Sequence, residues 1–189
     1  MLTVPAFVWR GGAVMRAVIV GVSTGVFLGL LAWLDSGLWF AALAAAAFVT
    51  VIYGIWLGLR MVKYWPGASA LTGEQRVRVA AVTRWGGRIG DPALAQPVVD
   101  YADGLRTSAE TGRPLRWVLP LILVVAIGTA GWDAIFGSSR DIIASCVYLV
   151  LLGFELFWWP GRRDQLLANA DRARERAVAL IEKNRGMAQ

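Results

Sequence analysis

Histidine is absent from this sequence, cysteine occurs once and lysine only twice. Without histidine there is no imidazole for acid–base chemistry near neutral pH or for metal ligation. A single cysteine, Cys146, excludes a disulfide within the chain and a thiolate metal cluster. A Walker-type phosphate loop is also missing. The glycine-rich turn Gly86-Gly87-Arg88-Ile89-Gly90 lacks the preceding strand pattern that a nucleotide loop requires. The carboxylates Asp91, Asp100, Asp103 and Glu110 are interspersed with arginine, the pattern of a solvated helix face. No catalytic residue, cofactor or metal is therefore expected, and the chain reads as a non-enzyme.

What the chain does contain is apolar surface. Of its 189 residues 57% are hydrophobic, above the 45–50% or so of a soluble domain, which points to a lipid solvent. Ala17 to Leu34 carries no charge over 18 residues, and Gly37 to Leu59 none over 23. As helices these reach roughly 27 and 35 Å, against a hydrocarbon core of about 30 Å. Two further runs are shorter: Trp117 to Trp132, 16 residues, and Ile142 to Trp159, 18 residues that include Glu155. Pro114 as a first helical residue and a snorkelling Arg116 would lengthen the third. The first run lacks a small-x-small cleavage pattern after Trp33-Leu34-Asp35-Ser36, so it reads as a retained anchor and not as a signal peptide.

Basic residues give the orientation. Arg60 to Arg116 holds nine, Arg162 to Arg185 holds seven, and Arg10 and Arg16 precede the first run, whereas the two short connections hold only Arg140. Arginine and lysine near span ends stay on the inner side, which places both termini and the central segment in the cytoplasm of a bacterial inner membrane. The net charge of +6 thus follows topology and does not call for nucleic acid. Trp9, Trp65, Trp117, Trp158 and Trp159 fall at the expected inner interface and Trp33, Trp39 and Trp132 at the outer one, as an aromatic belt.

The fold class expected is all-α: an integral membrane four-helix bundle of two hairpins with amphipathic cytoplasmic helices. Residues 1–60 form the first hairpin with an N-terminal interfacial segment. Residues 61–113 carry the cytoplasmic helices, 114–160 the second hairpin, and 161–189 a C-terminal cytoplasmic helix. Tyr64-Trp65-Pro66-Gly67 and Trp158-Trp159-Pro160-Gly161 punctuate the two halves at an offset of 94 residues. Two explanations stay open: parallel repeats from a duplication, or a helix stop used twice. Between them, Thr72 and Gln75 read as a capping box, and Asp91-Pro92 as a second helix start. The second helix carries an apolar stripe of Leu94, Val98, Tyr101, Ala102, Leu105 and Ala109, with Pro97 bending its early turns.

Three groups of residues are candidates for function. Gly21, Gly25 and Gly29 in the first span, and Gly54 and Gly58 in the second, recur at four-residue spacing and form a helix-packing or partner face. Glu155 is the one carboxylate inside a span, and Arg16 and Arg60 are its candidate ion-pair partners. Leu166, Ala170, Ala173, Ala177 and Leu180 form a docking stripe on the C-terminal helix, for the central helices, a partner or anionic lipid.

The Trp-Pro-Gly stops, Asp91-Pro92-Ala93-Leu94-Ala95 and the arginine-rich C-terminal helix resemble those of small four-helix membrane proteins of actinobacteria, including mycobacteria. The layout is similar to that of an accessory subunit of the Mce lipid importer. The resemblance implies a role in lipid transport through a larger integral membrane complex, with the bilayer and that complex as partners. A small oligomeric transporter of lipid or solute is the alternative.

Overall fold

The computed structural model describes residues 4–111 and 117–187, and among these every regular element is helical. Seven α-helices follow one another: α1 (Ala13–Ser36), α2 (Trp39–Tyr64), α3 (Gly73–Trp85), α4 (Ala95–Thr111), α5 (Val118–Phe136), α6 (Ser139–Gly153) and α7 (Trp159–Met187). Short 3-10 turns at Ala6–Arg10, Pro66–Ala70 and Pro92–Leu94 stand before α1, α3 and α4. Four segments are long and apolar enough to cross a membrane: α1, α2, α5 and the unbroken helical stretch Ser139–Met187. The start expected at Pro114, and Arg116 beside it, lie outside the described residues.

Local chemistry sets the boundaries. Pro66 forces the residue before it out of the helical region, so α2 ends at Tyr64 and Trp65 is displaced to φ −145°. Thr72 accepts from the Gln75 amide while the Gln75 side chain accepts from the Thr72 amide, the capping box expected from the sequence. Gly86 ends α3 in the left-handed conformation, φ +65°. Asp91 accepts from the Ala93 amide with Pro92 at the first position, and a 3-10 turn then feeds α4. Pro97 lies in the first turn of α4, where no helical N–H bond is lost.

The second Trp-Pro-Gly does not repeat the first. After α6 the chain takes a π-helical turn, Phe154–Trp158, in which the Trp159 amide donates to the Phe154 carbonyl, and α7 continues through Pro160. Proline removes one donor from the ladder, and a wider turn of this kind re-registers the backbone around it. One Trp-Pro-Gly stops a helix and the other is absorbed by one.

Contacts divide the chain into two compact bodies, each described by itself. The apolar body comprises Gly21–Tyr53 and Gly112–Arg162. In it Gly25 and Gly29 let α1 approach α2: a Cβ on Gly25 would stand 2.5 Å from the Ala46 carbonyl and overlap Thr50 Oγ1, and one on Gly29 would stand 2.8 Å from the Ala42 carbonyl. A Ser138–Asp141 capping box opens α6, and Ser145 donates to Asp133 of α5. Arg140 reaches the other end of α1, where its Nε and Nη2 donate to the Leu34 and Trp33 carbonyls at 2.9 and 2.8 Å and its guanidinium covers the Trp33 ring. Gly37, at φ +72°, turns the chain there and leaves room for that guanidinium. The Tyr148 hydroxyl adds a bond to the Leu31 carbonyl.

The polar body comprises Met1–Val20, Gly54–Thr111 and Arg163–Gln189. The α4 stripe named from the sequence is buried along its whole length. Against it and α3 lie Ala170, Ala173 and Ala177 of α7, also buried, with Leu166 and Leu180 half-buried at the ends of that row. In the segment before α1, Val4, Val8 and Trp9 are buried in this body, and the Ala6–Arg10 turn packs on α3. Arg84 donates to the Val4 carbonyl and Arg76 to the Arg10 carbonyl.

Because the α1–α2 approach uses backbone against backbone, Gly25→Ala should destabilise the protein by about 1–3 kcal/mol in detergent unfolding. Gly128→Ala in α5, where an added Cβ meets nothing within 4 Å, serves as the control and should leave stability unchanged. Equal stability of the two variants would overturn the close-approach account.

Candidate functional site

The densest chemistry lies in the polar body, where three aromatic rings meet. Trp9, Trp65 and Tyr101 have centroids 4.6–5.4 Å apart and are all essentially inaccessible. They come from the turn before α1, the residue after α2 and the middle of α4. Trp9 and Trp65 were expected in the inner aromatic belt and are instead core residues. Rings of this size bury large apolar area, and the pairs are edge-on or tilted, the favoured geometry.

Arg16 completes the cluster. It is 4% exposed, its guanidinium sits 4.4 Å over the Trp9 ring, and its Nε donates weakly to the Gly12 carbonyl at 3.4 Å. No carboxylate pairs with it; the ion pairs among the described residues are Arg106–Asp171 and Arg174–Asp103. Arg76 and Arg84 are close enough to add positive potential to the same region. Several buried donors there also lack a partner: Trp9 Nε1, Trp65 Nε1, Arg16 Nη1 and the Tyr101 hydroxyl. Arg84 and Trp9 approach that hydroxyl without forming a bond of good geometry. Burial raises the Tyr101 pKa, and the charges of Arg84 and Arg16 only partly offset this. The result is a cationic, donor-rich interior that holds rings and helix ends together.

Arginine also closes the helix ends of this body. Arg60 of α2 and Arg163 of α7 donate to the Ser108 and Ala109 carbonyls in the last turn of α4. Arg176 and Asn169 of α7 donate to the carbonyls of Gly86 and Arg84 at the end of α3. Carbonyls in the last turn have no partner within their own helix, and a cation there also opposes the helix dipole. Around this closure run the two ion pairs between α4 and α7, both half-exposed and each contributing about 0–1 kcal/mol.

Of the residues singled out in the sequence, Gly21, Gly25, Gly29, Gly54 and Gly58 are all buried. Gly58 meets Ala17 of α1, where a Cβ would stand 2.9 Å from the Ala17 methyl. The five glycines thus lie in packed positions, and the contacts of Gly25, Gly29 and Gly58 are within the chain. The ion pair expected between Glu155 and Arg16 or Arg60 is not among those of the described residues. Glu155 lies in the π turn, Arg16 is held by Trp9, and Arg60 stands over Trp56 and Tyr64 at 4.9 and 5.4 Å. Cys146 is exposed on α6 beside a shallow apolar groove. No group of three potential metal ligands occurs among the described residues.

Sequence reasoning missed Arg140, Arg163, Arg176 and Asn169, because the groups they bind are backbone carbonyls. In comparisons with protein-family models, curated proteins and solved structures the chain matches none significantly.

A neutral buried hydroxyl makes stability depend on pH. Since the folded state raises the Tyr101 pKa, its contribution is complete below the ordinary tyrosine value of about 10 and is lost as pH rises through the folded value. Tyr101→Phe should therefore flatten the alkaline limb of the stability curve. Near pH 7 it should change stability by less than about 1 kcal/mol, because the hydroxyl it removes lacks a good partner. A loss above about 2 kcal/mol at pH 7 would show that the hydroxyl is well bonded.

Proposed function

We propose that this chain is a non-catalytic accessory or assembly subunit of a larger inner-membrane complex, of the kind a lipid importer forms. In this reading α1–α2 and α5–α6 are two hairpins of one four-helix bundle. The termini and the polar body lie in the cytoplasm, where the arginine-rich segments would be retained. The bundle is supported by the glycine contacts of α1 with α2, the Ser145–Asp133 bond and the Arg140 clamp on α1.

The observation that carries the proposal is α5. It is an apolar helix of 19 residues with none buried, and its Gly128 and Gly131 meet nothing within 4 Å. One side of α5 packs on α6, and small residues on its open side permit close approach by a neighbouring helix, where lipid gives no hydrophobic drive for association. The α1 glycines, by contrast, already pack within the chain. A small oligomeric lipid or solute transporter is the alternative, with the same helix serving a second copy. The π turn that carries Glu155 is the feature that favours it, since such turns recur at functional sites.

Affinity purification from native membranes in mild detergent, with mass spectrometry and native sizing, tests the proposal. Stoichiometric recovery of a large membrane complex is the expected result, and Gly128→Leu should release it while leaving the protein folded. Recovery of this chain alone as a defined oligomer, with transport abolished by Glu155→Gln, would establish the transporter instead.

A further inference from the structure

A groove of about 280 Å³ runs along the end of α2, lined by Trp56, Leu59, Arg60, Lys63, Tyr64 and the last residue of α4, Thr111. We infer that this groove binds the phosphate of an anionic phospholipid, with the lipid's glycerol and upper acyl carbons along Trp56 and Leu59.

Three observations support this. The lining holds two cations and no carboxylate, and neither Arg60 nor Lys63 joins an ion pair among the described residues. Arg60 is already oriented: its guanidinium stands over the rings of Trp56 and Tyr64, and its Nη2 donates to the Ser108 carbonyl at 3.4 Å. A guanidinium has five N–H donors in a rigid fork; Ser108 takes one and the Tyr64 hydroxyl lies within reach of another, which leaves donors for phosphate oxygen. Lys63, exposed and with Nζ 5.9 Å from the Tyr64 ring, supplies a second, mobile charge. Finally, Trp56 and Leu59 are exposed and belong to a helix apolar and long enough to cross a membrane, so the groove joins an apolar wall to a charged end. The negative end of the α4 dipole, about half a charge, opposes an anion here. Two full positive charges outweigh it, and Arg60 and Arg163 already bond the carbonyls that carry it.

The inference rests on the membrane placement of α2 proposed above. Recovery of the chain in the soluble fraction would defeat that placement, and the lipid measurement is made only on protein extracted from membranes. Full-length protein in nanodiscs of mixed phosphatidylglycerol and phosphatidylcholine is examined by native mass spectrometry for lipid retained after release. Phosphatidylglycerol should be retained in preference. Lys63→Gln should weaken that preference about fivefold, the effect of one charge near an anionic surface. Arg60→Lys keeps the charge but loses the fork, and should weaken it as well; thermal unfolding confirms that each variant is folded. Inorganic phosphate at the lipid's concentration should not displace it. Equal retention of the two lipids, unchanged preference in both folded variants, or displacement by inorganic phosphate would each overturn the inference.

Discussion

The structure depends on one interaction above others, the bond from an arginine guanidinium to the carbonyls at the end of another helix. Arg140 makes it to α1, Arg60 and Arg163 to α4, and Arg176 to the turn that ends α3. Arg76 and Arg84 do the same for the carbonyls of Ala68, Arg10 and Val4 around the short turns. Last-turn carbonyls are obligatory acceptors, and those packed inside a helical assembly have little water to satisfy them. The preference for arginine over lysine, 17 to two, has a physical basis here. A planar fork can hold two carbonyls while its face lies on an aromatic ring, as Arg140 does with Trp33, and an ammonium cannot.

The two bodies use different means of cohesion. In the apolar body, where lipid-like surface gives no drive for association, α1 and α2 meet through glycine, alanine and the Thr50 hydroxyl. In the polar body, apolar burial does the work: the α4 stripe, the Ala170, Ala173 and Ala177 row of α7, and the Trp9, Trp65 and Tyr101 rings exclude water together. Arginine is common to both. It closes helix ends in each, and in the polar body Arg16 lies among the rings with no carboxylate beside it.

Much of the helical layout was legible because it rests on local patterns. The four apolar stretches, the Thr72–Gln75 box, the Asp91-Pro92 start and the α4 stripe all depend on residues a few positions apart. What failed depended on distant partners. Trp9 and Trp65 have the composition of belt residues, and only the meeting of Ala6–Arg10 with α3 and α4 makes them core. The second Trp-Pro-Gly looked like the first, but proline stops a helix only when the surrounding chain does not re-register around it, and the Phe154–Trp158 turn does. The helix-end arginines were invisible for a simpler reason. Every residue carries a carbonyl, so an acceptor made of backbone leaves no mark in the sequence, and Arg163 reads as one more basic residue beside a span.

The polar body draws on segments far apart in the chain: residues 4–20 and 54–111 supply its rings and two of its helices, and α7 supplies the row that covers them. During synthesis the first two apolar stretches, α3 and α4 are all made before α7 leaves the ribosome. Until then the Arg84, Gly86 and Ala109 carbonyls lack the donors that Asn169, Arg176 and Arg163 of α7 supply, although Arg60 of α2 can already reach Ser108. Completion of this body therefore falls late in biogenesis, after the last apolar stretch has emerged, and a nascent chain halted near residue 160 would present an open surface to chaperones and proteases.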